Sequence, residues 1–269
     1  NPWAMADTAN FAASGELDNG WTVDFSLGLD GSKGAAASPF EDRTLAIGMG
    51  DMGTLTLNGE DGSSVTGAMD DKMPTAYEET WFLADGPGNG AATNNMWNYS
   101  NSAVDGITLM ASFTPSSATE LESSTEIGVT YTGVEGLTIG LASGTDGGAG
   151  LTAEVDNTTM YMTYAYDAFT FGIQDNDSDS EVANADEEYR AYAISYAVND
   201  DLSVSIGMSD LDYEGTSTET DATQSITAIS ASYTMGSMSF GATRADTDNA
   251  SGNEVHDGAG YSIELAFAF

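Results

Sequence analysis

Apolar and small polar residues alternate with a period of two along most of the chain. In Trp21–Asp30 one side carries Trp21, Val23, Phe25, Leu27 and Leu29, and the other Thr22, Asp24, Ser26, Gly28 and Asp30. That period belongs to a strand with two unlike faces. It recurs around Phe11 in Thr8–Ser14 and in Thr44–Gly50, Thr54–Asn58, Met96–Ser100, Ile107–Phe113, Glu126–Thr132, Leu137–Ala142 and Met160–Tyr166. Phe169–Gln174, Ala191–Val198, Leu202–Met208, Ala228–Met235, Met238–Ala242 and Tyr261–Phe269 continue it. The pattern predicts an all-β antiparallel fold of about 15 strands. The second face is mostly Thr, Ser, Gly and Ala, not the Lys and Glu of a water-exposed sandwich face, as expected for strands around a wet interior.

The connections alternate in length. Short ones read Asp18-Asn19-Gly20, Asp51-Met52-Gly53, Val104-Asp105-Gly106, Val134-Glu135-Gly136, Asp167-Ala168, Asn199-Asp200-Asp201 and Gly236-Ser237, with the residues that tight hairpins need. Between them lie long acidic stretches near 30–42, 59–95, 114–125, 143–158, 175–187, 209–224 and 245–258. All five prolines fall outside the strands. Short turns on one rim and long loops on the other is the plan of an outer-membrane barrel, and residues 1–269 read as one such domain.

Composition narrows the function. Asp and Glu number 43 against 5 Lys and Arg, a formal charge of −38, which excludes nucleic acid as a partner. A saline habitat is a second source of such acidity. The 10 % aromatic content and the regular alternation argue against acidic disorder. No run approaches the roughly 20 apolar residues of a membrane helix. With no Cys and one His, His256, there is no thiol chemistry, zinc triad or serine triad, so no enzyme is expected. The chain opens without a charged-then-apolar leader, and any secretion signal is taken to have been removed.

The final strand, Tyr261-Ser-Ile-Glu-Leu-Ala-Phe-Ala-Phe269, resembles the closing strand of bacterial outer-membrane barrels. Strand order, turn and loop alternation, one oversized loop and the terminal Phe together resemble the general porin family, especially the acidic porins of alphaproteobacteria. The resemblance implies a 16-stranded barrel in the outer membrane of a Gram-negative bacterium. One upstream strand would be missing here, with Asn1-Pro2-Trp3 in the first external loop. It also implies a homotrimer, contact with lipids and lipopolysaccharide, and a channel for small hydrophilic solutes and cations without a required cofactor.

By the same resemblance the loop at about 59–95 folds inward and narrows the pore. It would bring Asp70, Asp71, Lys72, Glu78, Glu79 and Asp85 to the constriction, with Tyr77, Trp81 and Phe82 as packing anchors and Gly86–Gly90 as turns. Asp24, Asp30, Glu126 and Glu264 fall on the small-residue face and are expected on the lumen wall. Carboxylates in a narrow aqueous passage between low-dielectric walls concentrate cations. The family's basic cluster opposite the loop is absent: Arg43, Arg190 and Arg244 share parity with apolar neighbours, and Lys33 lies in a loop. Arg43 is placed at the rim, and Arg190 and Arg244 are read either as contacts to lipid phosphate or a neighbouring subunit, or as ion pairs to acids such as Glu187 and Asp246.

Trp21, Trp97, Tyr164, Tyr166, Tyr192 and Tyr196 are candidates for interfacial girdles. Asp175, Asp177 and Asp179 begin like a calcium loop, but Ser180 stands where the turn glycine belongs, leaving only loose Ca2+ binding as an option. The alternative function is that of a secreted or surface β-sheet structural or adhesin protein without a pore.

Overall fold

The computed structural model describes residues 8–30, 40–60, 62–88, 90, 94–116, 122–147, 154–214, 222–253 and 255–267, without the side chains of 30 and 40–42. Within them lie fifteen strands: β1 (Thr8–Glu16), β2 (Thr22–Asp30), β3 (Phe40–Gly48), β4 (Thr54–Glu60), β5 (Met96–Val104), β6 (Ile107–Thr114), β7 (Ser124–Val134) and β8 (Leu137–Asp146). Then follow β9 (Val155–Tyr166), β10 (Phe169–Ser180), β11 (Glu187–Ala197), β12 (Leu202–Tyr213), β13 (Gln224–Met235), β14 (Met238–Asp248) and β15 (Gly258–Phe267). They form one sheet in strict sequence order, each strand antiparallel to the next. Every predicted strand is present.

Register sets the faces. Leu27 stands opposite Phe11 and Arg43, while Ser26 stands opposite Ala12 and Thr44, whose hydroxyl lies 2.7 Å from that of Ser26. One face is therefore apolar across the sheet, and it is bare: Ile127 is 64 % exposed, Ile229 60 % and Ile263 61 %. Apolar surface this continuous is stable against hydrocarbon, not against water. Phe169 stacks on Tyr196 at 4.6 Å, and Tyr164 on Tyr166, at the short-turn end of this face. Those rings sit where an interfacial girdle belongs. The hairpins Asp105-Gly106 and Glu135-Gly136 turn with Gly106 at φ 72° and Gly136 at φ 76°, conformations that favour glycine.

The strands run further toward the long-loop rim than the alternation predicts. β10 reaches Ser180 instead of Gln174, and β12 reaches Tyr213 instead of Met208. The outward positions change chemistry there: Ile173 gives way to Asp175, Asp177 and Asp179, Met208 to Asp210 and Asp212, and Ala242 to Arg244, Asp246 and Asp248. The hydrogen-bond ladder ignores the change and continues through Asp175 opposite Arg190 and Asp179 opposite Asp156. Apolar alternation thus marks the height of the greasy band, and the strands outlast it.

This corrects the reading of 175–179 as the start of a calcium loop. An extended strand sets alternate residues roughly 7 Å apart, too wide to wrap one ion. Asp175 pairs instead with Arg190 at 3.0 Å, and Glu188 is that arginine's second partner. No group of three acids or His that could hold a metal occurs among the described residues. Arg244 pairs with Asp246 at 2.8 Å and Arg43 with Glu60 at 2.9 Å, so each of these outward arginines has an acidic partner.

Candidate constriction site

The described part of the connection from β4 to β5 lies, over residues 62–88, along the small-residue face. It starts with a tight turn in which Ala68 N–H donates to Ser64 O (2.8 Å) and Met69 N–H to Thr66 O (2.9 Å). At this end Thr66 N–H donates to Glu126 Oε2 of β7 (2.7 Å) and Thr66 Oγ1–H to Glu126 Oε1 (2.8 Å). On β10, Gln174 Nε2–H donates to Met69 O (2.7 Å), Lys72 N–H to Gln174 Oε1 (2.8 Å) and Asn176 Nδ2–H to Asp70 O (2.7 Å). Further on, Ala76 N–H reaches Ser205 Oγ on β12, Glu78 N–H reaches Thr243 Oγ1 on β14, and Tyr77 O–H donates to Glu264 Oε2 on β15 (2.9 Å). The returning limb sets Asp85 against the Tyr213 hydroxyl at 2.9 Å.

The loop thus crosses one face of the sheet, touching strands from β7 to β15.

Glycines give the loop its seat. A Cβ on Gly128 would stand 2.5 Å from Val65, on Gly172 2.3 Å from Pro74, on Gly207 2.5 Å from Thr80, on Gly241 2.4 Å from Tyr77 and on Gly260 2.4 Å from Leu83. Between these notches, Val65 and Met69 pack with Ala142 and Tyr161, and Trp81 with Tyr189, Ala191 and Leu211. Trp81 and Phe82 also cover Ile226, Ala228 and Ala245. The three aromatics expected to anchor the loop do so.

The six expected charges do not stand alike. Lys72 and Asp85 are exposed. Glu78 is tied down, accepting from Ser262 Oγ at 3.1 Å. Asp71, Glu78 and Glu79 border a cavity of about 20 Å³ between the loop and β11–β13, enough for one water. Burial, followed by Asp71, pushes the Asp70 carboxyl up to about 7 against the pull of Lys72. Burial, followed by Glu79, pushes Asp71 up to about 6.

The four expected wall acids also divide. Asp24 is exposed beside a concavity of about 430 Å³ lined by Ala12, Ser14, Ser26, Thr44 and Ala46. Glu264 serves Tyr77. Glu126 corrects the expectation: it lies on the inner face but is 1 % exposed beneath the loop, so it anchors and does not line. The Asp30 side chain, Lys33, Asn89 and residues 1–7 lie outside the described residues. Sequence reasoning missed the amides of Gln174 and Asn176. Their one legible signal was size, two amides on an inward side of β10 otherwise built of Gly, Ser and Thr. Among the described residues Lys72 is the one Lys or Arg on this face.

A family model described as Gram-negative porin matches residues 4–224 and 124–269, together nearly the whole chain. No curated protein matches the chain significantly. Among solved structures, the anion-selective porin of Comamonas acidovorans superposes with a TM-score of 0.68 at 15 % identity, covering 99 % of this chain and 90 % of that one. OmpT of Vibrio cholerae, expressed in the outer membrane, gives 0.70 at 14 % identity over 97 % and 88 %. A mutant of the Rhodopseudomonas blastica porin gives 0.70 at 14 % over 97 % and 89 %.

Proposed function

The chain belongs to the Gram-negative porin family, and from that premise we propose that its outer-membrane channel passes small hydrophilic solutes by diffusion and prefers cations. The membership displaces the surface-protein alternative and makes the protein a channel, not an enzyme. The charge census carries the cation preference: among the described residues the inner face and its loop offer the one cation Lys72 against acids that include Glu16, Asp24, Asp70, Asp71, Glu78, Glu79, Asp85, Glu126, Asp146, Glu187 and Glu264. Carboxylates beside a passage with low-dielectric walls raise the local cation concentration. The Comamonas porin named anion-selective shares the fold, so side chains, not the barrel, set the sign.

β1 and β15, the two edges of the sheet, run in the same direction because strands alternate. One further strand, antiparallel to both, would close such a sheet into a barrel of 16 strands, an even count. A homotrimer set in lipid and lipopolysaccharide is the assembly this reading takes. It draws support from the V. cholerae OmpT structure described as a trimer form.

The test is a single-channel recording in a planar bilayer under a KCl gradient. A reversal potential favouring K+ is expected, and changing Asp70, Asp71 and Glu79 to Asn or Gln should move it toward zero. A channel that favours Cl−, or is unmoved by those changes, overturns the proposal.

A further inference from the structure

Glu126 has no business under a loop unless the loop needs it. It projects from β7, a strand whose other inward residues are small, and it is 1 % exposed. A buried carboxylate is costly unless donors surround it. Here Thr66 supplies its backbone N–H at 2.7 Å and its hydroxyl at 2.8 Å, and Ser112 Oγ–H reaches Oε2 at 3.4 Å. Ser112 in turn accepts from Val65 N–H at 3.2 Å. The N–H groups of Val65 and Thr66 open the tight turn Ser64–Met69, so they lack partners within it and need acceptors outside it. Gly144 clears the space: a Cβ there would stand 2.5 Å from Glu126 Cγ.

We propose that Glu126 is a positioning residue of the constriction: its carboxylate caps the turn Ser64–Met69 and so, together with the amides of Gln174 and Asn176, sets where the following Asp70-Asp71-Lys72 stands in the pore. It faces no permeating ion and acts through Thr66. The far attachment, Tyr77 to Glu264, holds the tip, but it is exposed, whereas the Glu126 contacts are buried and charge-assisted. The charged stretch lies only four residues past the anchored Thr66, between that anchor and the amides of Gln174 and Asn176 that hold it from β10. This rests on residues 61–95 forming the constriction, and the cation preference can fail without affecting it.

The experiment compares wild type, Glu126→Gln, Thr66→Ala and the double variant by hydrogen exchange and single-channel recording. In Glu126→Gln, amides of residues 64–72 should exchange at least about tenfold faster, while strand amides and the unfolding temperature in detergent stay put. Open-channel current should become noisier, and the double variant should add little to the worse single one. Should Glu126→Gln fail to fold, Thr66→Ala, which leaves the carboxylate in place, must show the same local exchange and noise. Folded variants with wild-type loop exchange and quiet current overturn the proposal. So does a change spread over the strands, which would make Glu126 a stabiliser of the wall. A wild type without cation preference counts only against the charge reading of the pore.

Discussion

Gly207 and Gly241 measure how closely the loop is seated. A methyl at either would stand within about 2.5 Å of Thr80 or Tyr77, and overpacking of this kind costs about 1–3 kcal/mol. The strands are hydrogen-bonded on both sides and the loop is not, so the loop should yield. Gly241→Ala is expected to lower single-channel conductance while leaving the unfolding temperature nearly unchanged. The same distances explain why the seat was illegible in the sequence. A glycine on a face of Ser, Thr and Ala looks like one more small residue until Tyr77, far earlier in the chain, is found in the gap. Glu126 is the parallel case. Its parity placed it on the inner face correctly, but Thr66, its partner, sits in a stretch with no periodicity to read.

At the scale of the loop, Asp70 and Asp71 make the pore sensitive to pH. Both carboxyls are raised, to about 7 and about 6, so their charge is complete only on the alkaline side and is lost as pH falls through those values. Cation preference, read as reversal potential, should decline from pH 8 to pH 5, and Asp70→Asn with Asp71→Asn should flatten the curve. Docking runs the other way. The protonated forms are those the docked loop prefers, so their contribution is complete below the ordinary value of 3.8 and is lost as pH rises through about 6 and 7. Hydrogen exchange of residues 68–75 should therefore be slower at pH 5 than at pH 8 after correction for intrinsic rates. At the scale of the strands, Arg190, about half exposed in its pairs with Asp175 and Glu188, sits in a ladder that backbone bonds already hold. Arg190→Ala should change stability by at most about 1 kcal/mol, measured by denaturant in detergent. Strand ends at the turn rim were legible because Gly, Asn and Asp mark them, as at Asp105-Gly106. Ends at the loop rim were not, because past Ile173 and Met208 the outward side chains change while the backbone does not.

For the whole molecule the −38 formal charge acts at a distance that salt controls. Screening falls from about 10 Å at 0.1 M salt to about 3 Å at 1 M. The K+ over Cl− permeability ratio should therefore shrink markedly across that range, and a ratio indifferent to salt would locate selectivity in direct contact instead. The sheet's order was fully legible, since a meander with alternating connections has few other arrangements. The loop's path was not, because it is written in contacts between residues 35 to 187 positions apart.

Those separations bear on how the protein is made. Thr66 meets Glu126 across 60 residues, Ala76 meets Ser205 across 129, and Tyr77 meets Glu264 across 187. The first of these needs only the strands through β7, but the last must wait for β15. The loop can thus take its final place only after the last strand is laid down, and the narrowing of the channel becomes a signature of finished assembly: a barrel arrested short of β15 would leave its loop tip unfastened.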